Sequence, residues 1–311
     1  MISNLILTGA TGFVGLNLSS YLDRKDFNII HVSRQSGLRF DSLTTKLLKE
    51  KNISSIVHLA GKAHDLKNVE DPLLYYKANY ELTKTLFDLF IKSEVSKFIF
   101  ISSVKASADF VDKSLTETDV PNPQTHYGRS KLMAEEYIRS RQLPSGKSFY
   151  ILRPCMIHGP GNKGNLNLLY KLISKGIPYP LVAFKNERSF LSVENLCFVI
   201  RELLSRDDIP SGVYNIADDE TISTNKLIKL IAKAIDRKPK LWKINPILIK
   251  SLGKLGDILK LPLNTERLNK LTENYMVDNS KIKGALGKEF PIRADEGIIK
   301  TIKSFKEVIQ N

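Results

Sequence analysis

Tyr127 and Lys131 stand four residues apart in the run Tyr127-Gly128-Arg129-Ser130-Lys131. On a helix that spacing puts both side chains on one face. An ammonium within a few ångströms favours the ionised phenol and lowers its pKa. A phenol titrating near about 10 is otherwise a poor base at neutral pH, so the neighbour decides whether the tyrosine can move a proton. Two further hydroxyls, Ser102 and Ser103, lie upstream. Alone, the pair also describes an exposed tyrosine beside a solvated lysine, so its meaning rests on what surrounds it.

The start of the chain supplies the second half of the chemistry. Ile2 to Leu7 is a short apolar run that reads as a buried strand, followed at once by TGATGFVG, residues 8–15. Gly9 permits a tight turn, Gly12 lets the backbone approach a pyrophosphate, and Gly15 allows close helix packing. Thr11, Phe13 and Val14 complete the loop and open a helix expected over Phe13 to Leu22, ending near Asp23. The free N–H groups and positive dipole at that helix start suit phosphate, so the segment predicts dinucleotide binding.

The elements that must carry these residues alternate. Strands are expected at Ile2–Leu7, Asn28–Val32, Ile56–Leu59, Phe98–Ser102, Ser148–Leu152 and Val213–Ile216. Between them fall helical stretches at Leu43–Glu50, Tyr75–Ser93, Tyr127–Gln142 and Leu166–Lys175. Such alternation predicts an α/β fold, a Rossmann-type doubly wound parallel sheet. Ligands of these sheets bind at the carboxyl ends of strands, where the glycine loop, Ser102/Ser103 and Pro154 all fall. After about Lys163 helices and extra lysines replace the alternation. The expected division is a dinucleotide-binding domain over 1–163, with sheet elements returning near 190–217, and a smaller, mostly helical C-terminal substrate lobe over 164–311. The stretch from Trp242 to Pro262 is apolar and basic at helical spacing. It suits a membrane surface, but the expectation adopted is that its apolar face packs onto the lobe.

Composition bounds the partners. The 311-residue chain carries a formal charge of +14. Residues 1–150 hold 20 Lys/Arg against 16 Asp/Glu, and residues 151–311 hold 27 against 17, so the second half should draw anions. No nucleic-acid-binding motif accompanies the charge, so no nucleic-acid partner is expected. No run of 18 apolar residues is present, which predicts no membrane span. The first strand begins almost at the N-terminus, leaving no room for a signal peptide, and the two cysteines, Cys155 and Cys197, lie in apolar segments as buried thiols would. A cytoplasmic protein is the expectation, and no His/Cys cluster has metal-ligand spacing.

The end of the second strand bears on the cofactor. An acidic residue there accepts from the ribose 2′-hydroxyl of NAD. This chain has Ser33 followed by Arg34, a hydroxyl and a guanidinium suited to a 2′-phosphate. NADP(H) is therefore favoured; an Arg34 that only stacks on adenine leaves NAD open.

With these residues in view the chain resembles the extended short-chain dehydrogenase/reductases, in the NAD-dependent epimerase/dehydratase family and its nucleotide-sugar branch. The resemblance covers nearly the whole chain: TGATGFVG (8–15), VHLAG (57–61), Asn79, FIFISSV (98–104), YGRSK (127–131), LRPCMIHGPG (152–161), ERSFLSVEN (187–195) and VDNSK (277–281). It implies that Ser103 bonds the reacting sugar oxygen, that Tyr127 is the acid/base, and that Lys131 holds the nicotinamide ribose. It implies cofactor contacts from Leu59, Ala60, Gly61, Asn79 and Pro154, with Asp41 near the adenine, and substrate contacts from Asn165 and Arg188. From the residues alone, Asn79 reads as a helix residue satisfying nearby backbone, Asn165 as a helix cap, Arg188 as a surface ion-pair partner and Asp41 as a cap before Ser42.

The resemblance implies an enzyme, with a UDP-linked (N-acetyl)hexosamine of surface-polysaccharide synthesis as substrate and a helix-mediated homodimer as the common assembly. Two reactions fit the same triad: reduction of a 4-keto sugar by NADPH, and 4-epimerisation with tightly held NAD. Arg34 tips the expectation towards the 4-ketoreductase. A dehydratase fits less well, since Val104 and Lys105 replace the acidic pair such relatives carry after the catalytic threonine. A non-catalytic NADP-binding regulator is a more distant reading, because Ser103, Tyr127 and Lys131 are all retained.

Overall fold

The computed structural model describes residues 2–22, 24–33, 38–62, 71–162, 165–259 and 264–310. Six parallel strands form the main sheet: β1 (Ser3–Thr8), β2 (Phe27–Val32), β3 (Ile53–His58), β4 (Lys97–Ile101), β5 (Ser148–Pro154) and, later in the chain, β8 (Gly212–Ile216). Their order is β2-β1-β3-β4-β5-β8, so the direction of winding reverses between β1 and β3. β6 (Met156–His158) and β7 (Phe190–Ser192) pair separately, also in parallel.

The helices before the second half are α1 (Phe13–Tyr21), α2 (Thr45–Glu50), α3 (Leu73–Tyr75), α4 (Leu82–Lys92) and α5 (His126–Ser140). Those after it are α6 (Asn165–Ser174), α7 (Val193–Ser205), α8 (Thr224–Ala234), α9 (Pro246–Leu259), α10 (Thr265–Thr272), α11 (Ser280–Leu286) and α12 (Ala294–Gln310).

The apolar strands make sense as strands covered on both faces. In β1, Leu5 and Leu7 join the core under α1 and α7, while Ile6 joins the core under α2, α4 and α5. In β4, Ile99 and Ile101 face the first core and Phe98 and Phe100 the second. The period-two alternation thus feeds two helical layers from one continuous apolar run. A third cluster, built from α6, α8 and α12 with Ile249 and Leu268, lies in the second half of the chain.

Four expectations are corrected. β3 starts at Ile53, three residues early, because its serines are satisfied by β1: Ser54 Oγ donates to the Asn4 carbonyl at 2.9 Å and meets Ser3 Oγ at 2.6 Å. The helix expected from Leu43 starts at Thr45, capped by the Thr44 hydroxyl, which accepts from Leu47 N. Asp41 caps nothing there; it sits inside a 3₁₀ turn over Phe40–Ser42 and pairs with Arg39 at 3.4 Å. The fourth correction concerns α9, whose apolar face points outward: Ile249, Gly253 and Gly256 are its buried residues, while its other leucines and isoleucines are exposed.

Candidate active site

The glycine loop lies at the carboxyl end of β1, beside the winding reversal. Gly9 takes φ +71, and a Cβ on it would come within 2.7 Å of Ala60 N, so the loop and the segment after β3 meet backbone to backbone. Gly15 packs on Ala10 just as closely. Gly12 caps α1 with no side-chain bond, so the helix start keeps its N–H groups for a ligand. Phe13 reaches towards Gly161, and Val14 packs on the core. Leu59, Ala60 and Gly61 follow directly, and Thr8 holds them by accepting from Ala60 N at 3.1 Å.

A buried chain of hydrogen bonds fixes that corner. Thr83 Oγ1 donates to the Asn79 carbonyl at 2.7 Å, so it must accept from His58 Nε2 at 3.0 Å. His58 Nδ1 is then bare and accepts from Thr8 Oγ1 at 2.7 Å. Burial, with Lys131 nearby, lowers the His58 pKa to about 3, so the imidazole stays neutral and the chain runs in one direction.

Asn79 is a helix residue that satisfies nearby backbone. It lies in a π-helical turn over Tyr76–Glu81 joining α3 to α4. Its Oδ1 accepts from Lys62 N at 2.8 Å, while its Nδ2 donates to the Lys62 carbonyl at 3.2 Å and to Ser130 Oγ at 2.9 Å. Ser130 in turn donates to the Tyr127 carbonyl at 2.8 Å. A Cβ on Gly61 would stand 2.6 Å from Asn79 Oδ1 and 3.3 Å from Lys131 Nζ. Loop, π turn and α5 therefore converge on one point. π turns of this kind recur at functional sites.

Ser103 lies two residues beyond β4 and caps the short 3₁₀ turn Val104–Ala106, its hydroxyl accepting from Lys105 N at 3.2 Å. Tyr127 sits in the first turn of α5, half-buried, its ring edge-on to the buried Tyr75 at 6.3 Å. Lys131 is buried; its Nζ donates to the Ile101 carbonyl at 2.8 Å and lies 4.7 Å over the Phe100 ring. Burial lowers its pKa to about 8, opposed by the Glu135 carboxylate one turn on. Ser102 does not share the Ser103 position: its hydroxyl donates to Glu135.

Glu135 and Arg153 are the residues that sequence reading missed. Both are buried, and Arg153 Nε and Nη2 donate to the Glu135 carboxylate at 3.0 Å and 2.5 Å. The signal was there: a carboxylate four residues beyond Lys131, and a guanidinium inside an otherwise apolar strand just before Pro154.

Other predicted residues lie at the edges. Ser33 follows β2 at its carboxyl end, and its N–H donates to the Leu38 carbonyl at 3.1 Å; Arg34 lies outside the described residues. Asp41 is exposed and paired with Arg39. Pro154 ends β5, and Cys155 N donates to the Ile216 carbonyl at 3.0 Å. Arg188 is half-buried, its backbone bridging Ile222 and Tyr275; burial lowers its pKa, and it stands close enough to Cys155 to influence that thiol. Its guanidinium thus lies near Cys155, the residue that follows β5. Asn165 is the first residue of α6. Lys105, where dehydratases carry an acid, donates to the Asp109 carbonyl at 2.9 Å and lies 4.7 Å over the Tyr275 ring. Cys155 and Cys197 are free and buried. Burial pushes the Cys197 thiol up to about 12.

Comparison with known proteins gives a consistent outcome. A family model described as the NAD dependent epimerase/dehydratase family matches residues 5–217. A UDP-glucose 4-epimerase of Vibrio cholerae is 33% identical over 321 residues, covering 98% of this chain and 96% of its own length. The solved structure of MoeE5 in complex with UDP-glucuronic acid and NAD superposes with a TM-score of 0.76 at 22% identity, covering 98% of this chain and all of that one. That of RMD from Pseudomonas aeruginosa complexed with NADPH gives 0.74 at 20% identity, covering 98% and 99%.

Proposed function

This chain belongs to the NAD dependent epimerase/dehydratase family, an enzyme family, and on that premise we propose that it works at C4 of a UDP-linked hexose or N-acetylhexosamine as a 4-epimerase. The observation that carries the reading is the junction of the Ser103 turn with the Tyr127 helix, above a buried Lys131 and beside a dinucleotide loop. The residues fit a nicotinamide dinucleotide: Gly9 and Gly15 let the loop fold tightly backbone on backbone at the strand end, and the start of α1 lacks a side-chain cap.

A nicotinamide bound there would supply the hydride acceptor and donor needed at C4. Tyr127 removes the proton of the 4-hydroxyl as that hydride leaves and returns it when reduction follows on the other face. Ser103 holds the same oxygen by a hydrogen bond, fixing it within reach of the phenol. Lys131 bonds the nicotinamide ribose and, being charged, keeps the phenol near its ionised form. Arg188, with Asn165, meets the diphosphate or nucleotide; its fork suits paired phosphate oxygens. Residues 1–163 carry the dinucleotide and 164–311 the sugar nucleotide.

A second reading, the 4-ketoreductase, has its own support. Ser33 stands where an NAD-selective chain carries a carboxylate, which favours NADPH and a one-way reduction. In that reaction Tyr127 donates a proton to the C4 oxygen as hydride arrives.

Purification followed by cofactor release and spectroscopy separates the two. Stoichiometric retained NAD, with interconversion of UDP-glucose and UDP-galactose or their N-acetylated forms, is the expected result. A protein that emerges empty and oxidises NADPH with a UDP-4-keto-6-deoxy-N-acetylhexosamine would establish the reductase instead.

A further inference from the structure

Helix α9 is inverted relative to an ordinary surface helix. Its sequence is PILIKSLGKLGDIL, and at 100° per residue Ile247, Leu248, Leu252, Leu255, Ile258 and Leu259 cover about 140° of its circumference. All six are exposed, from 45% for Leu252 to 77% for Ile258. The buried arc is instead Ile249 with Gly253 and Gly256, and Gly253 rests against Leu268 and Thr265 of α10. The helix thus docks by one isoleucine and two glycines and turns its other large apolar residues outward. Trp242, just before it, is 56% exposed. A contiguous apolar stripe of this size on a surface marks an interaction site.

Charge says what covers it. Lys250 and Lys254 are exposed along one flank of the stripe, and Lys243 is exposed before the helix. The sole carboxylate of α9, Asp257, is engaged with α10, accepting from Thr265 N at 3.0 Å and Thr265 Oγ1 at 2.5 Å. The outward arc therefore offers apolar side chains, one hydroxyl at Ser251 and flanking cations, with the single carboxylate drawn towards α10. A second copy seated symmetrically on it would bring lysines towards lysines with no carboxylate of α9 to answer them. At 14 residues the helix is too short to span a bilayer, and no helix among the described residues is long and apolar enough to do so.

We propose that α9 is an in-plane membrane anchor that seats this enzyme on an anionic phospholipid surface. The apolar arc enters the boundary of headgroups and acyl chains, Lys250 and Lys254 extend to lipid phosphates, and Trp242 sits at the interface. The inference is independent of which C4 reaction the active site runs.

The test uses the full chain with vesicles of phosphatidylcholine, alone or with about one-third phosphatidylglycerol. Trp242 is the single tryptophan, so its emission reports on this face directly. Co-sedimentation with the anionic vesicles and a blue shift of Trp242 emission are expected, at least about tenfold weaker with phosphatidylcholine alone and weakened by salt. Leu252→Ser/Leu255→Ser/Ile258→Ser should lower vesicle binding at least tenfold, and Lys250→Glu/Lys254→Glu should do so for anionic vesicles, both with turnover of the soluble enzyme unchanged. The proposal is overturned if the wild-type chain ignores anionic vesicles, or if both variants bind as it does. It is equally overturned if the triple variant abolishes a concentration-dependent dimer seen by sedimentation while vesicles remain unbound, which would make the stripe a contact between copies.

Discussion

Gly128 lies so close to the Lys105 carbonyl that a Cβ on it would overlap the oxygen, with Pro123 Cβ a further 2.8 Å neighbour. The helix capped by Thr125 and the turn capped by Ser103 are thereby held face to face. The closeness sets the separation of the Ser103 hydroxyl from the Tyr127 phenol.

Gly128→Val should force that junction apart. Overpacking of this kind costs about 1–3 kcal/mol, and a small displacement of reacting groups is amplified in rate. A lower melting temperature and a kcat reduced at least about tenfold are expected, with cofactor affinity falling less than kcat. Calorimetry, steady-state kinetics and a cofactor titration check this. Lost stability with an intact kcat would make the contact purely structural.

Tyr127→Phe removes the phenolic oxygen and leaves the ring against Tyr75. If the phenol moves the proton, turnover falls by about 10²–10⁴-fold while cofactor binding persists. Retained turnover would remove Tyr127 from its proposed role.

The sheet was legible because each strand is a short apolar run bounded by turn residues, and the glycine loop because its spacing has one structural meaning after a strand. The Tyr127–Lys131 pair was legible from helical periodicity. What lay beneath it was not. Glu135 and Arg153 reach each other only through the pairing of β4 with β5 and the crossing of α5 over them, contacts no local pattern carries. The π turn at Asn79 needed the Lys62 backbone as its partner, and Lys62 lies 17 residues away. α9 was misread because amphipathicity shows that a helix has an apolar face, not which way that face turns.

Ser33→Asp tests the cofactor pocket. Ser33 follows β2 directly, where a carboxylate would accept from a ribose 2′-hydroxyl and repel a 2′-phosphate. The ratio of NADPH to NADH affinity should drop at least about tenfold in this variant, read by fluorescence titration of each. An unchanged ratio would place the ribose away from Ser33.

The Lys131 ammonium should set the alkaline edge of activity. Its pKa is lowered to about 8 by burial, with the Glu135 carboxylate acting in the opposite sense. Between the folded value and the ordinary 10.5 the unfolded chain retains a proton that the folded chain has released. This contribution to stability therefore rises with pH across that window, and the desolvation cost is fully present below pH 8. Activity moves the other way, because loss of the ammonium removes the charge that favours the phenolate, so kcat/KM should fall as pH passes about 8. Glu135→Gln deletes the opposing influence and should move that fall to lower pH. It also strands Arg153, whose unpaired burial should cost about 3–5 kcal/mol and lower the melting temperature. Lys131→Arg keeps a charge at all accessible pH values and should flatten the edge even at reduced activity. Three pH profiles decide the point: an edge that stays in place in both variants belongs to another group.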